Sequence, residues 1–212
     1  MRRLIVGLSN SIFGLGTRHG LGADLLSEVA AAHGAVWSLH PLLGGWVALL
    51  GPTEDTATVL LWPLSVYNRS GSVVAATARR YGVTPANVTV VHDDIELAPG
   101  AVRLDVPPSP DSGAQATSAR ARGNRGVRSC AEALGTGAFR RIRVGVGRPA
   151  THERLAVIAF VLAAPAPEER ALIGDAWAVG ACLELAERAK DHGGGDATCV
   201  AHNQRSASFR GE

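Results

Sequence analysis

Cysteine is scarce in this 212-residue chain: Cys130, Cys182 and Cys199 are an odd number and show no CxxC spacing. That argues against a disulfide framework or a zinc site and fits a reducing compartment. Long apolar runs are missing too. The longest clear one, Leu155 to Ala164, is far short of the roughly 20 residues a membrane-spanning helix needs. Arg2-Arg3 followed by Leu4 to Leu8 is too short for a signal-peptide core. The formal net charge is only +2, so the molecule as a whole is no polycation. A dinucleotide fingerprint is absent as well: Gly7, Gly14 and Gly16 do not give G-x-G-x-x-G, and no acid ends a second strand about 20 residues on. Those glycines then serve backbone flexibility and close approach. A cytoplasmic protein is expected, with mitochondria as the other compartment left open, and no membrane partner.

What is present is the length of one domain with room for a sizeable core. Leu4-Ile5-Val6-Gly7-Leu8 is a short apolar run with β-branched residues and reads as a buried strand. The chain leaves it at Ser9-Asn10 and delivers Thr17-Arg18-His19 at the mouth of a helix, Leu21 to Ala32, closed by Gly34. Ala35 to Leu50 and Thr56 to Trp62 read as β-rich pieces joined by a hairpin turn at 51–55. A helix is predicted over Ser72 to Tyr81, then a second rim strand, Val88 to Val91, ending on His92-Asp93-Asp94. Val102 to Val106 reads as a strand, Val127 to Leu134 as a helix, Arg141 to Gly147 as a strand, and Glu168 to Lys190 as a long helix with Pro167 at its first turn. The whole is one domain over residues 1–192. Within it, 107–121 is poor in apolar anchors and is expected to be a mobile loop, and the aperiodic tail 193–212 is expected to be disordered.

In an open α/β sheet, ligands sit beyond the carboxyl ends of the strands. Asn10 and His19 follow one such end and Asp93 closes another, which brings imidazole and carboxylate to a single rim. Each residue alone has a plainer explanation. His19 could be structural, Asp93 could sit in a solvated turn, Asn68 could cap the next helix, and Asn10 could occupy a left-handed turn. Their joint placement at strand ends favours chemistry. Cations cluster as well: between Arg120 and Arg148 there are eight Arg against one acid, Glu132, although Lys190 is the chain's only lysine.

In order, these motifs resemble the bacterial-type peptidyl-tRNA hydrolase family. The matching blocks are Leu4 to Leu8 with Asn10, Thr17-Arg18-His19, Asn68-Arg69-Ser70-Gly71, His92 to Leu97 with Pro99-Gly100, Gly126, and Arg141 to Pro149. Ala121-Arg122-Gly123 with Gly126 to Cys130 is similar to the animal branch. The resemblance implies a single three-layer α/β domain, a mixed twisted sheet with helices on both faces. It implies an esterase that cuts the bond between a peptide, or an N-blocked amino acid, and tRNA, acting as a monomer in translation with no cofactor or metal. Residue by residue, it makes His19 the general base for water and Asp93 the carboxylate that orients it. Asn10 would sense the blocked amino group, and Val66, Asn68, Asn124 and Arg125 would lie along the substrate. Arg103, Arg122, Arg128, Arg141 and Arg143 would meet tRNA phosphates, so loss of Arg143 should flatten the salt dependence of binding.

The chain departs from the family's pattern at several points. Asn10-Ser11-Ile12 stands for Asn-Pro-Gly, and the aromatic that often follows is not matched around Gly14 and Leu15. Gly123-Asn124-Arg125-Gly126 stands for Gly-His-Asn-Gly, which puts a cation where an amide is expected. Asp105 falls near the lysine of the family's phosphate clamp. The alternative reading is an RNA-binding homologue with weak turnover; keeping His19, Asp93, Asn10 and Asn68 together argues against it. A third, a small-molecule hydrolase, would bind its substrate with affinity indifferent to salt.

Overall fold

The computed structural model describes residues 2–10, 15–51, 53, 57–107 and 123–173. Seven strands form one sheet in the order β2-β3-β4-β1-β5-β7-β6. They are β1 (Arg3–Gly7), β2 (Ser38–His40), β3 (Gly45–Leu50), β4 (Thr58–Pro63), β5 (Val88–Asp94), β6 (Val102–Asp105) and β7 (Arg140–Gly145). The four central strands, β4, β1, β5 and β7, run parallel. At the edges β2, β3 and β6 pair antiparallel, which makes the sheet mixed. Among the described residues five α-helices accompany it: α1 (Leu21–Ala32), α2 (Ser70–Arg80), α3 (Arg125–Leu134), α4 (Arg154–Leu162) and α5 (Pro167–Ile173).

Successive side chains of a strand point to opposite faces, and β1 shows the consequence. Leu4, Val6 and Leu8 join a core with Val73, Val74 and Ala78 of α2 and Val127 and Cys130 of α3. Ile5 joins a second core with Leu21, Leu25 and Leu26 of α1, Phe160 of α4 and Ile173 of α5. A strand covered on both faces has to be apolar throughout, which is why Leu4-Ile5-Val6 was readable as buried. The chain leaves β1 for α1 on one face and β4 for α2 on the other, so a crevice opens beyond their carboxyl ends.

Two glycines set how tightly α1 closes on that crevice. A Cβ at Gly22 would lie 2.5 Å from the Val91 carbonyl oxygen, and one at Gly7 would lie 2.3 Å from the Gly22 carbonyl oxygen. The start of α1 therefore rests directly on the ends of β1 and β5, and the residue just before it is drawn to the rim.

The elements differ from the sequence reading in detail. Ala35 to Leu50 divides into β2 and β3, because the chain turns at Pro41–Gly44 with Gly44 at φ 72°. The rim strand runs on through Asp94. Helix α2 begins two residues early, at Ser70, and α3 begins at Arg125 under an Asn124 cap. The apolar run at Leu155 lies in α4. Of the helix predicted over 168–190, the described part is α5; the rest, most of the predicted loop 107–121, and the tail lie outside the described residues. Among those described, no helix is long and apolar enough to cross a membrane.

Candidate active site

The rim holds a hydrogen-bonded chain of four side chains from four segments. His19 sits in the 3-10 turn Arg18–Gly20 ahead of α1. Its Nδ1 lies 2.9 Å from Asp93 Oδ2 and 3.0 Å from Oδ1. Asp93 is buried near the end of β5, and Tyr67, in the 3-10 turn before α2, donates its hydroxyl to Oδ1 at 2.8 Å. The Tyr67 ring also lies flat on the imidazole, with centroids 3.6 Å apart and planes 10° from parallel. Asn124, the cap of α3, accepts from the Val127 N–H at 3.0 Å through Oδ1 and donates through Nδ2 to the Tyr67 hydroxyl at 3.0 Å. Close approach makes this possible: a Cβ at Gly126 would lie 2.4 Å from the Tyr67 ring.

The charges follow from this geometry. Burial pushes the Asp93 carboxyl up, but the His19 imidazole, the Tyr67 hydroxyl and His92 outweigh it and hold the group below its usual value. Asp93 is thus an acceptor only, so Nδ1 of His19 carries the proton and Nε2 is left for the cavity. Tyr67 goes the other way. Burial first, and the Asp93 charge after it, raise its hydroxyl well above 10, so it stays a donor. Burial also lowers His92, whose Nδ1 donates to the Asp93 carbonyl at 2.7 Å.

The cavity in front of His19 measures about 650 Å³. One side is apolar: Ile95 with Val157, Ile158, Val161 and Leu162 of α4. Arg18 holds that wall in place. Its buried guanidinium donates at 3.1 Å to the carbonyls of Phe160 and Ala164, pairs with Glu169, and lies 4.0 Å from the Phe160 ring centroid. A cation on the last carbonyls of a helix is favourably placed, and here it fixes α4 beside the neighbouring His19.

The residues singled out in the sequence separate into two groups. Asn10, His19, Val66, Asn68, Asp93, Asn124 and Arg125 all line the cavity. Asn10 is 6% exposed, and its Oδ1 has no donor among the described residues. Asn68 is exposed and does not cap α2. The Asn124 amide bonds the Val127 N–H and the Tyr67 hydroxyl inside the protein while also lining the cavity.

The strand arginines are paired with carboxylates. Arg143 is 2% exposed, with Nε 2.6 Å from Asp94 and a nitrogen 3.8 Å from Asp105. Arg141 is buried, 2.9 Å from Asp105. Arg103, one-third exposed, lies 3.3 Å from the same carboxylate. Arg125 and Arg128 on α3 are exposed, the latter 3.7 Å from Glu132. Arg122 lies outside the described residues. Tyr67 and Arg18 were missed. Tyr67 directly precedes the Asn68–Gly71 block without belonging to it, and nothing in the spacing around Arg18 points to α4.

Among the described residues that line the cavity there is no Ser, Thr or Cys. A carboxylate-backed imidazole at the rim of an α/β sheet fits the class of hydrolases. The model of the peptidyl-tRNA hydrolase family matches residues 4–205. The peptidyl-tRNA hydrolase of Methylococcus capsulatus is 40% identical over 177 residues, 83% of this chain and 87% of that one. That of Mycobacterium tuberculosis is 38% identical over 169 residues, 79% and 81%. The crystal structure of the Acinetobacter baumannii peptidyl-tRNA hydrolase superposes with a TM-score of 0.73 at 27% identity, covering 89% of this chain and 90% of that one. The chain belongs to the peptidyl-tRNA hydrolase family, carboxylic ester hydrolases acting on peptidyl-tRNA.

Proposed function

We propose that His19 is the general base of this hydrolase and Asp93 the carboxylate that orients it. The observation that carries the reading is the 2.9 Å contact between Nδ1 and an ionised, buried carboxylate. Nε2 takes a proton from water as the oxygen attacks the ester carbonyl. The tetrahedral species then collapses, and the ribose oxygen leaves with the proton returned by the imidazolium. The products are a peptide acid and free tRNA. General-base help of this kind contributes about 10²–10⁴ in rate.

The remaining roles follow from the lining. Asn10 Oδ1 accepts from the N–H of a blocked amino group, Asn68 positions the ester, and Val66 with α4 receives the apolar part of the peptide. Every group invoked comes from one chain, in keeping with a monomer, and the bulk composition fits a cytoplasmic enzyme. The Ala121–Gly123 run together with Gly126–Cys130, which forms half of α3, is the basis for setting the chain beside the animal branch.

We assign phosphate contacts to Arg125, which lines the cavity, to the exposed Arg128 on the same helix α3, and to the exposed part of Arg103. Arg125→Ala is expected to weaken tRNA binding and lower the slope of log K against log salt by about 1. Titrations between 50 and 200 mM salt (a span of ordinary working conditions, roughly fourfold) read this directly; an unchanged slope would remove Arg125 from the phosphate path.

The experiment that tests the whole reading is release of peptide from an N-blocked aminoacyl-tRNA, with His19→Ala of verified fold alongside. A fall of about 10²–10⁴ in kcat supports the base. Undiminished turnover by His19→Ala would overturn it. No turnover by either protein, with salt-sensitive tRNA binding intact, would favour the RNA-binding reading.

A further inference from the structure

We propose that Tyr67 and Asn124 form a directional strut that sets the polarity and position of the His19–Asp93 pair, making Tyr67 a positioning residue of this enzyme. The inference rests on the general-base reading and adds to it a pair of side chains that the base and its carboxylate do not by themselves require.

The direction of every hydrogen bond in the chain follows from its first member. The Val127 N–H at the start of α3 can only donate, so Asn124 must present Oδ1 to it at 3.0 Å. The other end of the amide is then the NH₂ group, and it donates to the Tyr67 oxygen at 3.0 Å. With its oxygen accepting from Asn124, the tyrosine turns its single proton to the acceptor 2.8 Å away, Asp93 Oδ1. Asp93 therefore receives one donor from α3 by way of Tyr67 and one from His19 Nδ1. A backbone N–H at a helix start thus fixes which way the proton points two side chains away.

Tyr67 acts on the pair in two ways of opposite sign. Its hydroxyl draws charge from the carboxylate, which lessens how strongly Asp93 stabilises an imidazolium. Its ring, lying 3.6 Å from the imidazole, stabilises a cation through its π face and blocks rotation of His19. The other charged groups around the site are Asp94, Glu96, Arg125, Arg148 and Arg154 on the cavity and His92 behind Asp93. The substitutions below leave all six in place.

The test is the pH profile of kcat/KM, with kcat and KM measured separately, on three variants. Tyr67→Phe keeps the stacked ring and removes the hydroxyl. Its acid limb should move up by about half a pH unit, with kcat down about tenfold and KM nearly unchanged. Asn124→Ser keeps a good cap and removes the donor to Tyr67, so it should move the limb the same way by less. Asn124 Nδ2 also lies 3.3 Å from the Asp93 carbonyl oxygen and 3.2 Å from His92 Nδ1, so the double variant should shift by clearly less than the sum of the two singles rather than match Tyr67→Phe.

A wild-type acid limb and kcat in Tyr67→Phe, with only a lower Tm, would leave Tyr67 as packing and overturn the proposal. A double variant whose shift equals the sum of the singles would overturn it too, because Asn124 would then act wholly by another route, such as its contact with the Asp93 carbonyl. His19→Ala keeps the two readings apart. If it stays active the general-base reading itself fails; if it is dead while Tyr67→Phe behaves as wild type, only the strut fails.

Discussion

Asp93→Asn lowers kcat by about 10⁴ while leaving the fold and tRNA affinity near wild type. The size of the loss comes from a reversed proton. Tyr67 is committed to donating at the Oδ1 position, 2.8 Å away, because Asn124 supplies a donor to its oxygen. The introduced amide must therefore turn its oxygen to Tyr67 and its NH₂ to His19. Nδ1 of His19 becomes an acceptor, the ring proton moves to Nε2, and the nitrogen facing the cavity can no longer take a proton from water. Loss of the carboxylate's charge removes the support for imidazolium as well. A single-turnover assay on N-blocked aminoacyl-tRNA reads the effect; a loss below about tenfold would mean that Asp93 does not set the tautomer. Acid stability provides a second readout. The folded carboxyl lies below its usual value, so Asp93 adds stability above about pH 4, the value of an unperturbed Asp. That contribution is lost as pH falls through the depressed folded value. Urea unfolding of the Asn variant should accordingly depend less on pH below 4 than that of the wild type.

The parts of this molecule that were legible in its sequence are those whose pattern has one physical meaning. Strand β1 is apolar at every central position because both faces are covered, and β5 ends in charge because it ends at the crevice. His19 and Asp93 could be paired because both sit just beyond strand ends, and the family resemblance gave the pairing its chemistry. Tyr67 was not legible. It lies in a single 3-10 turn with no periodicity, and its partners are 26 and 57 residues away. Asn124 stands out in the sequence only as a departure in a motif; in the fold it caps α3 and donates to the Tyr67 hydroxyl. Strand β7 misled for a different reason. The Arg-Ile-Arg-Val alternation reads as a strand with one wet face, and its aliphatic half does enter the α1-side core. Its cationic half is buried as well, because Asp94 from β5 and Asp105 from β6 rise on either side of it. Alternation reports that two faces differ; it does not report what covers the polar one. Asp105, which looked like the wrong sign for a phosphate clamp, is the counter-ion this sheet requires.

Arg143→Ala, expected from the sequence to weaken phosphate binding, should instead destabilise the fold by about 3–5 kcal/mol. The guanidinium side chain is 3% exposed and lies 2.6 Å from Asp94. Its removal leaves that carboxylate buried without its closest cation, and Asp105 with one cation fewer. The cost arises from charge left behind rather than from the lost attraction, since a buried pair as a whole is often no more stable than an apolar replacement. For a chain of this length the loss corresponds to a fall in Tm of about 6–20 °C. Calorimetry or urea unfolding measures it, and a further substitution tests the cause. Adding Asp94→Asn to Arg143→Ala should recover part of the stability, because the stranded charge is then gone. If the double variant is as unstable as the sum of the singles, the two groups are not energetically coupled. In the folded fraction of Arg143→Ala, the salt slope of tRNA binding should equal that of wild type, in contrast to Arg125→Ala. A cation already neutralised by two carboxylates releases no counterion from RNA, so the slopes of these two variants separate the arginines that bind substrate from those that hold β5, β6 and β7 together.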